Sequence, residues 1–174
     1  LVQGPKYVTI SGGNPAIHKK GGELVDALHG ANYLVALETQ GTIWQEWIRR
    51  CDVVTVSPKG PSSGNVTDMK TLFRFLENNQ HVGRPSLRSI VKIVVKDGHD
   101  LGYANMVAKM VKDLYGHTII LQPCHVRPEL KSNPVESLDK LAWLIKEAQQ
   151  YENLQASIVL PQLHVLLWGN EKGR

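Results

Sequence analysis

Short apolar and β-branched runs recur along the chain, separated by more polar segments. Most of these runs are nearly continuous in hydrophobicity rather than alternating, which is typical of strands buried on both faces of a parallel sheet. Helical patterns lie between several of them, so the order of elements predicts an α/β architecture built from β/α repeats. We predict strands over residues 7–10, 33–37, 53–56, 90–95, 118–121 and 156–160.

Three helices are marked by capping residues and by apolar positions spaced three and four apart. The first has Thr67 as its N-cap and ends near Asn78. The second runs from about His99 to Tyr115, where Gly116 provides a C-terminal stop. The residues expected to face inward are Leu72, Phe75 and Leu76 in the first helix, and Leu101, Ala104, Val107, Ala108, Val111 and Leu114 in the second.

The third helix opens with Asn133 as its cap, Pro134 at the first helical position and Glu136 three residues after the cap. Its period predicts one buried stripe that covers the sheet. The residues expected on this stripe are Leu138, Leu141, Ala142, Ile145 and Ala148.

Composition narrows the class of protein without choosing a partner. The chain has 174 residues, a length typical of one domain. Its net charge of +4 is too small to indicate a nucleic-acid-binding module. Only Cys51 and Cys124 are present, which excludes a disulfide scaffold and favours the reducing cytoplasm. No apolar run reaches bilayer length. We expect residues 1–174 to form a single domain, and because the chain begins at Leu1, we expect a segment upstream.

Polar residues follow most of the predicted strands, and in β/α architectures ligands bind at the carboxyl ends of the strands. The first strand leads into Ser11 and a Gly-Gly pair, the second into Glu38, and the third into Ser57 and Lys59. Each has an ordinary interpretation as well: a tight turn, a solvated strand end, or a plain loop. A histidine such as His164 is as readily a core residue as a ligand contact. The functional interpretation is favoured because the polar groups fall at the same end of successive strands.

Four blocks of residues together resemble the 7-carboxy-7-deazaguanine synthase family of radical S-adenosylmethionine enzymes. The blocks are residues 8–15 (VTISGGNP), 36–42 (ALETQGT), 56–63 (VSPKGPSS) and 160–170 (LPQLHVLLWGN). The resemblance implies a partial, modified β/α barrel of mostly parallel strands, usually a homodimer. It also implies rearrangement of 6-carboxy-5,6,7,8-tetrahydropterin to 7-carboxy-7-deazaguanine with loss of ammonia, on the pathway to the tRNA nucleoside queuosine.

The implied cofactors are S-adenosylmethionine, a 4Fe-4S cluster and Mg²⁺, with a flavodoxin-like or other reductant as partner. The radical comes from the cofactor and the cluster, so the resemblance implies no catalytic side chain and no metal ligand within these 174 residues. Residues implied to bind S-adenosylmethionine are Gly12, Gly13, Asn14, Glu38, Ser57, Pro58, Lys59, Gln122, Pro123, Cys124 and His125. Residues implied to contact the pterin are Ser11, Gln162, His164 and Arg174.

The sequence departs from the family in three places. Gly60 stands where relatives often have proline, and residues 123–125 differ from the expected pattern. The cluster-binding cysteine motif, which the family carries upstream of Ser11, is absent, and two distant cysteines cannot replace three converging thiolates. Two alternatives therefore stay open: a non-catalytic module that binds the nucleoside and pterin, and a related radical enzyme such as a glycyl-radical activase.

Overall fold

Six strands form one sheet in the computed structural model, which describes residues 4, 6–80, 88–112, 114, 117–124 and 134–168. The strand order follows the chain, β1-β2-β3-β4-β5-β6. The pairs β1–β2, β2–β3, β3–β4 and β5–β6 are parallel, which confirms the predicted α/β class. The strands are β1 Tyr7–Ile10, β2 Leu34–Thr39, β3 Val53–Val56, β4 Arg88–Val95, β5 His117–Pro123 and β6 Ile158–Val159.

Five α-helices occur in the described part of the chain, two of which the apolar pattern does not predict. The helices are α1 Gly21–Gly30, α2 Met69–Asn78, α3 Gly98–Val111, α4 Pro134–Ala148 and α5 Leu163–Trp168. The unpredicted ones are α1, which begins and ends in glycine, and α5, which has only six residues. Glycine is a poor helix former and a six-residue segment is too short to display a period, so neither produces a clear signal.

Helix α2 begins one residue later than predicted. Its N-cap is Asp68, whose side chain accepts hydrogen bonds from the Thr71 N–H (2.9 Å) and hydroxyl (3.0 Å). Thr67, the predicted cap, is buried instead. Both residue types cap helices well, and the burial of Thr67 leaves the cap position to the exposed carboxylate. In α3 the cap is Asp97, while Tyr115, Gly116 and Asn133 lie outside the described residues.

The predicted buried faces of α2 and α3 are confirmed. Leu72, Phe75 and Leu76 of α2 are buried, as are Leu101, Ala104, Val107, Ala108 and Val111 of α3. Leu114 lies beyond the end of α3 and is half-buried.

The predicted buried face of α4 is largely wrong. Leu138 is 53% exposed and Ile145 41% exposed, and Ala142 is exposed too. Of the predicted residues, Ala148 is buried, as predicted, and Leu141 is half-buried. The helix also buries Leu144, which was not predicted. Its sequence carries two stripes at helical spacing, residues 137, 141, 144 and 148 and residues 135, 138, 142 and 145, and the period alone does not say which one packs inward.

The chain divides into two compact units, each with a hydrophobic core. The first unit comprises residues 1–58, 67–91 and 113–117, and the second comprises residues 59–66, 92–112 and 118–174. The fully buried apolar side chains of the first unit include Val35, Leu37, Val54, Leu72 and Leu76. Those of the second include Ile93, Leu101, Leu121 and Leu144. None of the helices described here is long and apolar enough to span a membrane.

Candidate functional site

The turn after β1 exposes its backbone. Gly12 and Gly13 have φ angles of +95° and +57°, in the left-handed region that glycine adopts without steric cost. Both residues are exposed, and a Cβ built on either one would meet no atom within 4 Å. Space is therefore open beside these main-chain groups, so a ligand could reach their N–H and C=O directly. Ser11 next to them is also exposed.

The side chain of Asn14 ties this turn to the end of β2. The Thr39 hydroxyl donates to Asn14 Oδ1 over 2.8 Å, and Asn14 Nδ2 donates to Thr42 Oγ1 over 3.0 Å. Thr39 is 2% exposed. Both ends of the Asn14 amide are thus bound within the protein, and the resemblance assigned Asn14 to ligand binding only through the backbone. The amide fixes the position of the glycine turn.

The ends of β2 and β3 are held together closely. The Ser57 N–H donates to the Thr39 carbonyl over 2.7 Å, and Ser57 and Pro58 are buried. Gly41 has φ +73°, and a Cβ there would lie 2.5 Å from Cγ1 of Val56. Glycine is therefore required for this turn. Glu38, the last carboxylate before it, is half-buried at the carboxyl end of β2.

In the second unit, a buried carboxylate holds the segment that follows Lys59. Asp100, in the first turn of α3, is 0% exposed. It accepts hydrogen bonds from the N–H and hydroxyl of Ser62 and from the Lys96 N–H. Lys59 itself is half-buried.

The end of β5 carries three of the predicted contacts with S-adenosylmethionine. Gln122 Nε2 donates to the Pro161 carbonyl over 3.3 Å, and Pro123 is buried. The Cys124 N–H donates to the Val95 carbonyl over 2.8 Å. Burial, and secondly the charge of Asp100, raise the pKa of the Cys124 thiol, which favours the neutral thiol over the thiolate. His125 lies outside the described residues.

The predicted pterin contacts other than Ser11 lie near the end of the chain. Gln162 is half-buried, and its carbonyl accepts hydrogen bonds from the N–H groups of Val165 and Leu166 at the start of α5. His164 is exposed, so its interpretation as a core histidine is wrong. Arg174 lies outside the described residues.

The two cysteines do not fit an iron-sulfur cluster. Cys51 is 1% exposed, and burial, followed by the charge of Asp52, raises its pKa to about 12 despite the opposing effect of Arg50. A cluster ligand must be a thiolate, and three of them must converge. The described residues also contain no group of three or more His, Cys, Asp or Glu side chains that could hold a metal ion.

Four residues that build these clusters were not among the predicted site residues: Thr39, Thr42, Ser62 and Asp100. Their partners stand 25 to 38 positions away in sequence, so no local spacing reveals them. Asp100 also has a local explanation, because a carboxylate in the first turn of a helix needs no further role. Only the fold brings these groups to their partners.

Two curated proteins align with nearly the whole chain. The 7-carboxy-7-deazaguanine synthase of Bacillus cereus is 36% identical over 170 residues, which cover 96% of this chain and 68% of the relative. The protein of the same name from Bacillus subtilis strain 168 is 36% identical over 167 residues, with the same coverage of both chains. No family model matches the chain.

A solved structure, that of QueE from Escherichia coli, shares the fold. Its TM-score is 0.61 at 22% sequence identity, and the match covers 92% of this chain and 57% of that chain. The likeness bears out the predicted class of fold, a partial β/α barrel of the radical S-adenosylmethionine type. The chain thus spans about two thirds of the curated relatives and little more than half of QueE.

Proposed function

This chain belongs to the 7-carboxy-7-deazaguanine synthase family of radical S-adenosylmethionine enzymes, and we propose that it binds S-adenosylmethionine and 6-carboxy-5,6,7,8-tetrahydropterin for the conversion to 7-carboxy-7-deazaguanine with loss of ammonia. The observation that carries the proposal is the open glycine turn after β1, held by Asn14 beside the end of β2. The product serves the pathway to queuosine and related 7-deazapurines.

The glycine turn would bind the methionine ammonium group of S-adenosylmethionine. An ammonium group offers three N–H donors and needs oxygen acceptors, which the carbonyls of the exposed residues Gly12 and Gly13 can provide. The carbonyl of Asn14, which is half-buried, already accepts a hydrogen bond from the Ile17 N–H over 3.1 Å. A side chain at Gly12 or Gly13 would fill the space that the ligand needs. When bound, the cofactor supplies the radical chemistry, and the residues discussed here bind and orient it.

The remaining contacts follow the ends of the other strands. Glu38 would accept hydrogen bonds from the ribose hydroxyls or from the ammonium group. Lys59, with Ser57 and Pro58, would hold the nucleoside or the methionine carboxylate. Further contacts with the adenosyl group are assigned to Gln122, Pro123, Cys124 and His125, and contacts with the pterin to Ser11, Gln162, His164 and Arg174.

The described residues contain no set of side chains that could hold the cluster or Mg²⁺. Cys51 and Cys124 differ from cluster ligands in number, position and protonation, so we derive no step of the reaction through a cluster held by them. Turnover therefore requires cysteines other than these two. A second candidate function, a module that binds S-adenosylmethionine and the pterin without turnover, makes the same prediction for binding and differs from the first only in turnover.

Binding and turnover separate the two candidates. We would measure S-adenosylmethionine affinity by calorimetry for the wild-type chain, for Gly13→Val and for Gly13→Asn. Asparagine tolerates a left-handed φ, so Gly13→Asn keeps the turn but fills the open space, whereas valine also strains the backbone. Both variants should lose binding, and Gly13→Asn should keep the wild-type melting temperature. Unchanged affinity in Gly13→Asn would contradict the assignment.

Turnover would be tested on the full-length protein as the cell makes it, after anaerobic treatment with iron and sulfide, with dithionite as reductant and product detection by mass spectrometry. Formation of 7-carboxy-7-deazaguanine supports the enzyme. Binding of both ligands without product supports the binding module.

The proposal extends to the partners that the family resemblance implies. A flavodoxin-like or other reductant would supply electrons, and the chain would act as a homodimer, which light scattering after gel filtration would test. The exposed apolar side chains of α4 are consistent with a second copy. A cytoplasmic location is supported by the free state of both cysteines.

A further inference from the structure

Asp100 is a completely buried carboxylate that accepts hydrogen bonds from Lys96, four positions away, and from Ser62, 38 positions away. One oxygen, Oδ1, accepts from the Ser62 N–H over 3.0 Å. The other, Oδ2, accepts from the Lys96 N–H over 2.8 Å and from the Ser62 hydroxyl. Since a buried charge costs free energy unless it is paired or hydrogen-bonded, these three donors are what make the buried position tolerable.

The two segments that contain these donors are the loop of residues 59–64, which begins with Lys59, and the carboxyl end of β4, where Lys96 follows Val95. The loop has its own hydrogen bonds, in which the Ser63 hydroxyl donates to the Gly60 carbonyl over 2.6 Å. Its attachment to Asp100 through Ser62 fixes this small folded unit against the start of α3. Asp100 is therefore one anchor of the loop.

Gly60 makes the close approach possible. A Cβ at this position would lie 2.6 Å from Asp100 Oδ1. The φ of Gly60 is −78°, which any residue adopts, so backbone conformation does not require glycine here. Glycine is required because Asp100 occupies the space that a Cβ would need.

The same carboxylate lies near the end of β5. Its charge helps to raise the pKa of the Cys124 thiol, after the larger effect of burial. The Cys124 N–H also donates to the carbonyl of Val95, the residue before Lys96. The ends of β4 and β5 and the loop that begins with Lys59 therefore gather around Asp100.

We infer that Asp100 is a positioning residue, which sets the loop of residues 59–64 so that Lys59 can bind the carboxylate of S-adenosylmethionine. The inference rests on the proposed function. Asp100 itself touches no ligand in this scheme and acts only through Ser62 and Gly60.

The variant Asp100→Asn tests this role with little change in volume. The amide has one acceptor oxygen and one NH₂ donor, and in either orientation its NH₂ opposes a backbone N–H, that of Ser62 or that of Lys96. In the first orientation the loop loses the bond from the Ser62 N–H, and in the second the Ser62 hydroxyl can no longer donate and must turn to accept from the NH₂, so the anchor is weakened in both cases. Calorimetry should show at least about tenfold weaker binding of S-adenosylmethionine. Binding of 5′-methylthioadenosine, which has the nucleoside but no methionine carboxylate, should be unchanged.

Two further variants keep the result interpretable. Asp97→Ala removes the cap of the same helix, where Asp97 Oδ1 accepts from the His99 N–H, and should lower the melting temperature without changing either affinity. Gly60→Ala keeps the carboxylate but obstructs its approach, so it should reproduce the selective loss even if Asp100→Asn does not fold.

An equal loss for both ligands, or no loss for either, in Asp100→Asn or Gly60→Ala would overturn the positioning role. A wild-type chain that binds S-adenosylmethionine would uphold the proposed function in either case. A wild-type chain that binds neither ligand would overturn the proposed function, and the positioning role with it.

Discussion

The Thr39 hydroxyl donates a hydrogen bond of 2.8 Å to Oδ1 of Asn14, which joins the buried end of β2 to the turn that follows β1. The two residues are 25 positions apart, so this contact exists only in the folded protein. It fixes the side chain that follows two conformationally free glycines. The exposed backbone of the turn is therefore held in place by a residue that the ligand need not touch.

Thr39→Val should weaken S-adenosylmethionine binding without unfolding the protein. Valine keeps the shape but removes the hydroxyl, and it leaves Asn14 Oδ1 without this donor. The expected loss is about 1 kcal/mol, roughly a fivefold rise in Kd by calorimetry. Thr9→Val, an exposed change within β1, is the matched control and should bind as the wild type does. Equal Kd values for all three proteins would mean that the turn holds its position without Thr39.

Glu38→Gln should also weaken S-adenosylmethionine binding. The half-buried carboxylate lies at the carboxyl end of β2, and loss of a charged hydrogen bond there costs about 1 to 3 kcal/mol. The control Glu46→Gln removes an exposed carboxylate that bonds the Trp44 indole N–H, and should leave the affinity unchanged. If Glu38→Gln bound as tightly as Glu46→Gln does, Glu38 would be a solvated strand end.

Asp52 should stabilise the fold in a pH-dependent way. Burial alone would raise its pKa, but hydrogen bonds from the Val35 N–H (2.7 Å) and from His29 (2.9 Å) outweigh this effect and hold the pKa below the ordinary value of 3.8. The folded state therefore binds the proton less readily than the unfolded state. The stabilisation is present above pH 3.8 and is lost as the pH falls through the lower pKa of the folded protein.

Urea unfolding of the wild type and of Asp52→Asn measures this effect. The free energy of unfolding of the wild type should exceed that of the variant at pH 6, and the difference should shrink as the pH is lowered below about 4. A difference that stays constant down to pH 3 would contradict a lowered pKa.

Cys51 should resist thiol reagents in the folded protein. It is 1% exposed and its pKa is about 12, so at pH 8 only about one molecule in ten thousand carries the reactive thiolate. Cys124, which is half-buried, should be labelled first by iodoacetamide, as read by peptide mass spectrometry. Unfolding in urea should remove the difference between them. Equal labelling rates in the native protein would show that Cys51 opens to solvent.

The strands could be predicted from sequence because a continuous apolar run can be recognised without knowledge of its partners. The prediction of burial on both faces was wrong, because burial alternates along β2 and β3 and no residue of β1 is buried. β3 has the predicted bounds, Val53–Val56. The face of α4 could not be predicted, because both of its stripes satisfy the helical period and the choice depends on packing. Leu144 and Leu138 are equally apolar, but only Leu144 is buried.

The candidate site could be predicted in part, because some of its residues are recognisable from the local sequence alone. Gly12 and Gly13 are visible in sequence because few residues tolerate a left-handed turn. The anchoring groups are not visible, because Thr39 and Asp100 look like an ordinary strand residue and an ordinary helix-start residue. Their roles come from hydrogen bonds across 25 and 38 positions.

The strand order β1-β2-β3-β4-β5-β6 bears on how the protein is made. Each strand lies beside the strand that was synthesised just before it, so its partner has already left the ribosome when it emerges. The sheet can grow from one edge in the direction of translation. No strand has to insert between two strands that were synthesised earlier. At each step the new strand covers the exposed edge of the strand before it, which shortens the time during which that edge could pair with another chain.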